Sequence, residues 1–511
     1  MHTAPHMSND EFRALGHQMV DFIADYWDAL EREPGKFRVL SQVRPGGVIE
    51  SVPGMPPEVG QPLAGRARAE ERAGGDLFAD IERIVMPGIT HWQHPHFYAF
   101  FPANATGPSV LAELLSAGLG VQGMLWATGP ACTELETRML DWLGGMIGLP
   151  PEFLSTSSNG GGVIQGTASD AVLVAMVAAR QRALSAGSGK ELVAYTSTQA
   201  HSSIIKAAMI AGIADGPEDR VHVRLIDVDG EFRMRPDALE AAVREDVAAG
   251  RVPFFVCATV GTTGCTAVDP VADIATVIAR SSASEGRVTT WLHIDAAHAG
   301  AACVCPEYRH FLKGVERADS VCFNPHKWLL TNFDCNCFWT RDRRAIIDAL
   351  SITPEYLRNA ASDAGAVIDY RDWQVPLGRR FRALKLWFVI RHYGVEGLRA
   401  HIRGHMEMAA DFERAVRSDA RFEVVAPRTM NLVCFRLRAL PGQDGAARDA
   451  MNKRLMDGLN ASGRLYLTHT TLPGTGFTLR MAMGAVRTGP QHVRQAWEWV
   501  QEAACCATLP S

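Results

Sequence analysis

Apolar residues at Phe12, Leu15, Met19, Phe22, Ile23 and Tyr26 recur at helical spacing and predict an amphipathic helix near the start of the chain. A stretch rich in proline and glycine follows from Arg44 to Pro62, too full of turn formers for a packed helix. Residues 1–105 show no core of their own. A helix with an apolar stripe must bury it on something, and a partner subunit is one candidate. From 106 to 385, helical stretches alternate with short continuous apolar runs: Leu192-Val-Ala-Tyr195, Pro253-Phe-Phe-Val-Cys-Ala258 and Thr289-Thr-Trp-Leu-His-Ile294. Uninterrupted apolar strands separated by helices predict an α/β fold, a mostly parallel sheet covered on both faces. Residues 386–511 mix helices with the strand-like Asn431–Leu437 and Phe477–Ala482, which predicts a small C-terminal α+β domain.

Composition narrows the function classes. The 511 residues are 47% hydrophobic and 21% charged, ordinary for a globular protein of two or three packed units. A net charge of −5 gives no electrostatic reason to expect nucleic acid or an anionic membrane as partner. The nearly uncharged stretch from Leu114 to Thr133 is broken by four glycines and Pro130, so it reads as protein core and no membrane span is expected. The N-terminus carries Asp10 and Glu11 and has no apolar centre, unlike a secretory signal. Eleven irregularly spaced cysteines make neither a disulfide framework nor a zinc site, and a cytoplasmic location is expected.

The chemistry gathers in the middle of the chain. Gly160-Gly-Gly-Val-Ile-Gln-Gly-Thr-Ala-Ser169 runs into a helical pattern, and a glycine-rich turn before a helix offers N–H groups and a positive dipole end to phosphate. Neither the dinucleotide nor the nucleoside-triphosphate glycine pattern is present, so a phosphate outside those classes is favoured. Asp295 follows the apolar run ending at Ile294, at the strand end where open α/β sheets keep their ligands. A carboxylate there can pair with a pyridinium nitrogen. Lys327, in Asn324-Pro-His-Lys-Trp328, stands at the end of a second run, where a lysine can condense with an aldehyde.

The run Asn324-Pro-His-Lys-Trp-Leu-Leu-Thr-Asn-Phe-Asp-Cys335 resembles the lysine signature of the group II pyridoxal-phosphate (PLP)-dependent decarboxylases. The likeness is greatest to the aromatic-L-amino-acid decarboxylases of tryptophan, DOPA and tyrosine. It extends over Met86-Pro-Gly-Ile-Thr-His-Trp92, Pro130-Ala-Cys-Thr-Glu-Leu-Glu136, Gln199-Ala-His-Ser-Ser203 and Trp373-Gln-Val-Pro-Leu-Gly-Arg-Arg-Phe381.

This resemblance implies a fold type I, PLP-dependent transferase-like large domain (106–385), an N-terminal helical dimerisation segment (1–105) and a small C-terminal domain (386–511). It implies pyridoxal 5'-phosphate as cofactor and Lys327 as its anchor. Thr167, Ala168, Ser169 and Asn324 match the phosphate contacts, and His201 the imidazole stacked on the ring. Thr263 matches a residue beside the ring hydroxyl, Asp295 the partner of the pyridine nitrogen, and Ala297 a ring-face contact. His326 lies near the reacting centre. Tyr356, in Thr353-Pro-Glu-Tyr-Leu-Arg-Asn359, matches the loop tyrosine that returns a proton to Cα after carbon dioxide leaves. The family's homodimers carry their sites at the interface. Trp92, Phe100, Phe101, Ala103, Gln122, Met124 and Gly378 match the substrate pocket, with Gln122 and Met124 coming from the other subunit.

The same residues speak against the rival readings. Aromatic aldehyde synthases carry Phe at the loop position or Asn for the stacking histidine, whereas this chain has Tyr356 and His201. An aminotransferase disagrees with the order of motifs, and a cofactor-free scaffold with the intact Lys327 and Asp295. His91, His94 and His96 could bind zinc by count, but they fall in the family's substrate-lining segment, so no metal is expected. His401 and His405 lack the Glu of a zinc-protease helix and are expected at the surface.

Overall fold

The computed structural model describes residues 6–56, 77–187, 191–282, 289–352 and 367–507. Strands β1 (Gly161–Gln165), β2 (Leu192–Ser197), β3 (Val223–Ile226), β4 (Val252–Thr259), β5 (Trp291–Asp295), β6 (Ser320–Phe323) and β7 (Asn336–Thr340) form one sheet, ordered β1-β7-β6-β5-β4-β2-β3. The run from β3 to β6 is parallel, and β7 is antiparallel to both β1 and β6. All of β1, β2, β5, β6 and β7 is buried. Side chains alternate across a strand. Accordingly Ile164, Leu292, Ile294 and Val321 feed one core, while Val163, Trp291, Cys322 and Phe338 feed the core on the opposite face. Both faces are covered, so these strands are apolar throughout rather than alternating.

The glycine-rich run departs from its reading as a turn. Gly161–Gln165 is strand β1, and only Gly166 and Thr167 separate it from the next helix. Glycine is required inside that strand because a Cβ on Gly162 would lie 2.8 Å from the Phe338 carbonyl oxygen on β7. The expected C-terminal strands form a second, wholly antiparallel sheet, ordered β10-β11-β9-β8. Its members are β8 (Phe422–Val424), β9 (Leu432–Leu437), β10 (Thr468–Leu472) and β11 (Gly476–Ala482). A helical run, Arg382–Ser418, passes through residue 386 and is interrupted at Gly394, whose φ of 62° and ψ of 174° are not helical.

Helix α1 (Asn9–Arg32) starts at a capping box between Ser8 and Glu11 and buries only Leu30. Between it and α2 (Gly107–Leu119) lies an apolar cavity of about 960 Å³, with Leu15, Met19 and Ile23 on one wall and Val110 and Leu114 on the other. No helix among the described residues is long and apolar enough to cross a membrane.

The His91–His96 run ties α1 to the rest of the chain. Tyr26 Oη lies 2.9 Å from His91 Nδ1, His94 Nε2 lies 2.9 Å from the Pro34 carbonyl oxygen, and His96 N–H donates to His94 Nδ1 at 3.0 Å. These imidazoles are committed to protein partners. Burial pushes His91 and His94 down to about 4 and His96 to about 3. In the unfolded chain they take up protons near pH 6.5, so between about 6.5 and 4 the unfolded state binds more protons. Stability is therefore complete above about pH 6.5 and drains as pH falls towards about 4. Tm followed by circular dichroism should fall across that window. His94→Asn, which keeps an acceptor for the His96 N–H, should flatten the slope; an unchanged slope would contradict the account.

His401 and His405 correct the surface expectation. His405 is 3% exposed, accepts the Trp328 Nε1–H at 3.0 Å, and packs edge-on to His401 with centroids 4.4 Å apart. Trp328, from the turn that follows β6, packs on His405.

Candidate active site

β5 and β6 are parallel neighbours, and Asp295 pairs in register with Cys322. Asp295 is the last residue of β5, and Lys327 stands in a single helical turn, Pro325–Trp328, after β6. Adjacent parallel strands thus deliver carboxylate and amine to the same edge of the sheet. Across from them, Thr167 caps helix α3 (Ala168–Ser185), its backbone N–H and hydroxyl both donating to Asp170. The first turn of α3 turns its N-terminal end to the same space.

These elements wall one cavity of about 220 Å³. Thr167, Ala168, Ser169 and His201 line one part of it; Thr263, Asp295 and Ala297 line another. Asn324, His326, Lys327 and Phe101 complete the expected residues found there. Five further lining residues were missed in the sequence: Ser203, Thr259, Gly261, His298 and Phe333. Position could have signalled His298, three residues after Asp295, and Gly261, two after the end of β4. Gly261 has a φ of +89°, and a Cβ there would sit 2.6 Å from the Ala299 Cβ, so the loop after β4 passes too close for a side chain.

Several wall groups are poised for a ligand. Burial lowers the Lys327 amine below the ordinary lysine range, with the Asp295 charge opposing. Asp295 accepts the Ala297 N–H at 3.0 Å on one oxygen. The buried Ser203 Oγ and Thr259 Oγ1 have no hydrogen-bond partner among the described residues.

Backbone donors set the tautomers of two imidazoles. Cys335 N–H donates to His326 Nδ1 at 2.9 Å, and Ser203 N–H to His201 Nδ1 at 3.1 Å. Each neutral ring therefore carries its proton on Nε2. Burial, then the Lys327 charge, pushes His326 down to about 4. His201 is also lowered, by partial burial first and by Lys327, against Asp295.

Arg480, from β11, is 3% exposed and donates to the carbonyls of Gly264 at 3.0 Å and Thr263 at 2.7 Å. Its guanidinium lies 5.4 Å from the centre of the Phe101 ring. It makes no ion pair among the described residues, which leaves a buried positive charge beside the cavity. Nothing in the sequence around Arg480 signals this.

The remaining expected pocket residues lie elsewhere in the single chain. Trp92 and Phe100 stack at 5.7 Å outside the cavity, and Phe100 is 46% exposed. Ala103 is half-buried, its carbonyl accepting from Gln93 Nε2 at 2.5 Å. Gln122 and Gly378 line a separate cavity of about 320 Å³ with Glu113 and Arg380. Met124 is half-buried and its carbonyl accepts the Arg371 N–H at 3.1 Å. Tyr356 lies outside the described residues.

A mostly parallel α/β sheet with a lysine after one strand, a carboxylate ending its neighbour and a helix N-terminus facing both defines a PLP-dependent enzyme of fold type I. Residues 57–438 match the pyridoxal-dependent decarboxylase conserved domain, and the chain belongs to that family. It is 48% identical over 501 residues to tryptophan decarboxylase 2 of Oryza sativa subsp. japonica, covering 98% of this chain and 95% of the relative. It is 46% identical to phenylacetaldehyde synthase of Arabidopsis thaliana, with 98% and 96% covered. The crystal structure of Oryza sativa TDC with PLP and tryptamine superposes with a TM-score of 0.90 at 41% identity, covering 98% of this chain and 99% of that one.

Proposed function

We propose that the protein decarboxylates aromatic L-amino acids to the arylalkylamine and carbon dioxide, with pyridoxal 5'-phosphate in the 220 Å³ cavity. One observation carries the reading: Lys327, Asp295 and the start of α3, far apart in sequence, wall a single cavity in a chain of this family. The names of the relatives, a tryptophan decarboxylase and a phenylacetaldehyde synthase, support an aromatic substrate.

The donor set fits the cofactor. The first turn of α3, with Thr167, Ala168, Ser169 and Asn324, would hold the phosphate, and the orphaned Ser203 and Thr259 hydroxyls offer further polar contacts. Asp295 would hold a proton on the ring nitrogen, and Lys327 would bind the aldehyde carbon. Thr263 would contact the ring hydroxyl, and His201 and Ala297 the ring faces.

When bound, the cofactor supplies an aldehyde for the substrate amine and a ring that accepts electrons. The chain does the rest. Lys327, its pKa lowered by burial, reaches its neutral form more readily and takes or gives a proton at its amine. Asp295 would keep a proton on the ring nitrogen and so favour electron flow away from Cα. His326 carries its Nε2–H at the cavity wall, the buried Phe101 covers part of that cavity, and Tyr356 would deliver the proton to Cα.

Substrate choice follows from polarity. Ala103, Phe100 and Met124 offer no partner to ring hydroxyls, and Gly378 leaves room for an indole. A pocket without such partners discriminates for a hydroxyl by only about one to two powers of ten. Tryptophan and phenylalanine should therefore compete well with DOPA. Measuring kcat/KM for tryptophan, phenylalanine, tyrosine, 5-hydroxytryptophan and DOPA tests this, and a strong preference for DOPA over every unhydroxylated ring would overturn it. Aldehyde synthesis is the second reading, favoured by the Arabidopsis relative and opposed by Tyr356 and His201.

The working unit we propose is a cytoplasmic homodimer. The apolar cavity beside α1, and Gln122 and Gly378 lying apart from the Lys327 cavity within one chain, support a site completed by a second copy.

A further inference from the structure

We propose that His298 is a positioning residue: as the middle ring of a three-ring stack, it holds Phe101 and the Lys327 turn in fixed relation. The inference rests on the reading of the Lys327 cavity as the decarboxylation site. His298 lies 1% exposed in the turn after β5. One face of its imidazole stacks on Phe101, with centroids 3.8 Å apart and planes 13° from parallel. The Trp328 ring stacks on it as well, at 4.8 Å and 10°. Phe101 lines the cavity, and Trp328 directly follows Lys327. The Lys327 Nζ itself lies 5.5 Å from the Phe101 ring centre. A shift of the middle ring therefore moves a cavity wall and the lysine backbone together.

The orientation of His298 is fixed from the C-terminal part of the chain. Asn431 Nδ2 donates to the Met483 carbonyl at 2.7 Å, which leaves its Oδ1 as the acceptor. His298 Nε2 lies 2.7 Å from that oxygen and must carry the proton. A parallel link runs through Asn104, whose Nδ2 donates to the carbonyls of Lys327 and Gly484, both at 3.0 Å. Lys327 is thus held from two sides by elements continuous with β9 and β11.

Proton transfer is a poor alternative role. His298 Nδ1 is buried and has no hydrogen-bond partner among the described residues. Burial also pushes the imidazole down to about 3, so the ring stays neutral at working pH. A neutral ring, saturated on one nitrogen and sealed on the other, acts through its shape.

His298→Ala removes the middle ring, and His298→Phe restores a flat one without the N–H for Asn431. Both are compared with wild type for PLP affinity of the apoprotein, visible circular dichroism of the bound cofactor, KM, kcat and Tm. In His298→Ala, KM for the aromatic substrate should rise and PLP affinity fall, each by about tenfold or more, because ångström-scale misplacement is costly at a reacting centre. His298→Phe should recover both to within about threefold and regain the dichroic band. A folded His298→Ala with wild-type affinity, band and KM would overturn the proposal, as would His298→Phe losing as much as His298→Ala. If His298→Ala does not fold, His298→Leu replaces it: volume without a flat face, the same losses expected, and wild-type values overturning the idea. Absence of decarboxylation by wild type would count against the functional reading instead, and PLP affinity and the dichroic band would still decide the stack.

Discussion

Lys327→Ala should lower kcat/KM for every amino acid by more than about three powers of ten while leaving the fold intact. The two halves of this expectation have different causes. Turnover fails because no other lysine lines the 220 Å³ cavity, so nothing there replaces the amine that binds the aldehyde carbon. The fold survives because Lys327 is half-buried at the cavity wall and forms no ion pair among the described residues. Burying an amine without a charge partner costs stability, so its loss should leave Tm unchanged or raise it. Lys327→Arg separates charge from chemistry: it keeps a cation near Asp295 but cannot bind the aldehyde carbon, and should be as inactive as alanine. Assays of released carbon dioxide on the folded variants check both. Retention of more than about a tenth of wild-type kcat/KM by either, far above that expectation, would remove Lys327 from the proposed mechanism.

Tyr356→Phe should change the product rather than abolish the reaction. Without the phenol, the electrons left at Cα after carbon dioxide departs wait for a proton. Molecular oxygen can take them instead, and with water the substrate leaves as aldehyde and ammonia while the oxygen is reduced to hydrogen peroxide. The expected result is aldehyde replacing most of the amine in air, with amine recovered at a slow rate under nitrogen. His201 remains in place in this variant, so cofactor binding should be unaltered. If Tyr356→Phe makes only amine at the wild-type rate, another group is the acid. Chromatography of products from parallel aerobic and anaerobic reactions distinguishes the outcomes.

How much of this was legible in the sequence depended on whether a single local rule governed the residue. The strands of the parallel sheet could be read because burial on both faces writes them as continuous apolar runs. Asp295 and Lys327 could be read because each ends or follows such a run. Strand β1 could not: Gly162 lets Phe338 and Trp339 of β7 approach and Gly161 lets Trp373 approach, and in a local window these glycines look like a turn. His405 looked like a surface residue because a single helix does not reveal that the Lys327 turn lies against it. Arg480 and His298 were missed for the same reason. Their importance comes from Thr263, Phe101 and Trp328, brought near by the fold from distant parts of the chain. Gln122 and Gly378 matched a pocket by resemblance alone, and in the single chain they line a different cavity from Lys327.

Borohydride reduction of the PLP-loaded protein, followed by peptide mass mapping, tests the central assignment most directly. The account predicts one phosphopyridoxyl group per chain, on Lys327. A label on any other lysine, or none in protein carrying a full complement of PLP, would contradict it.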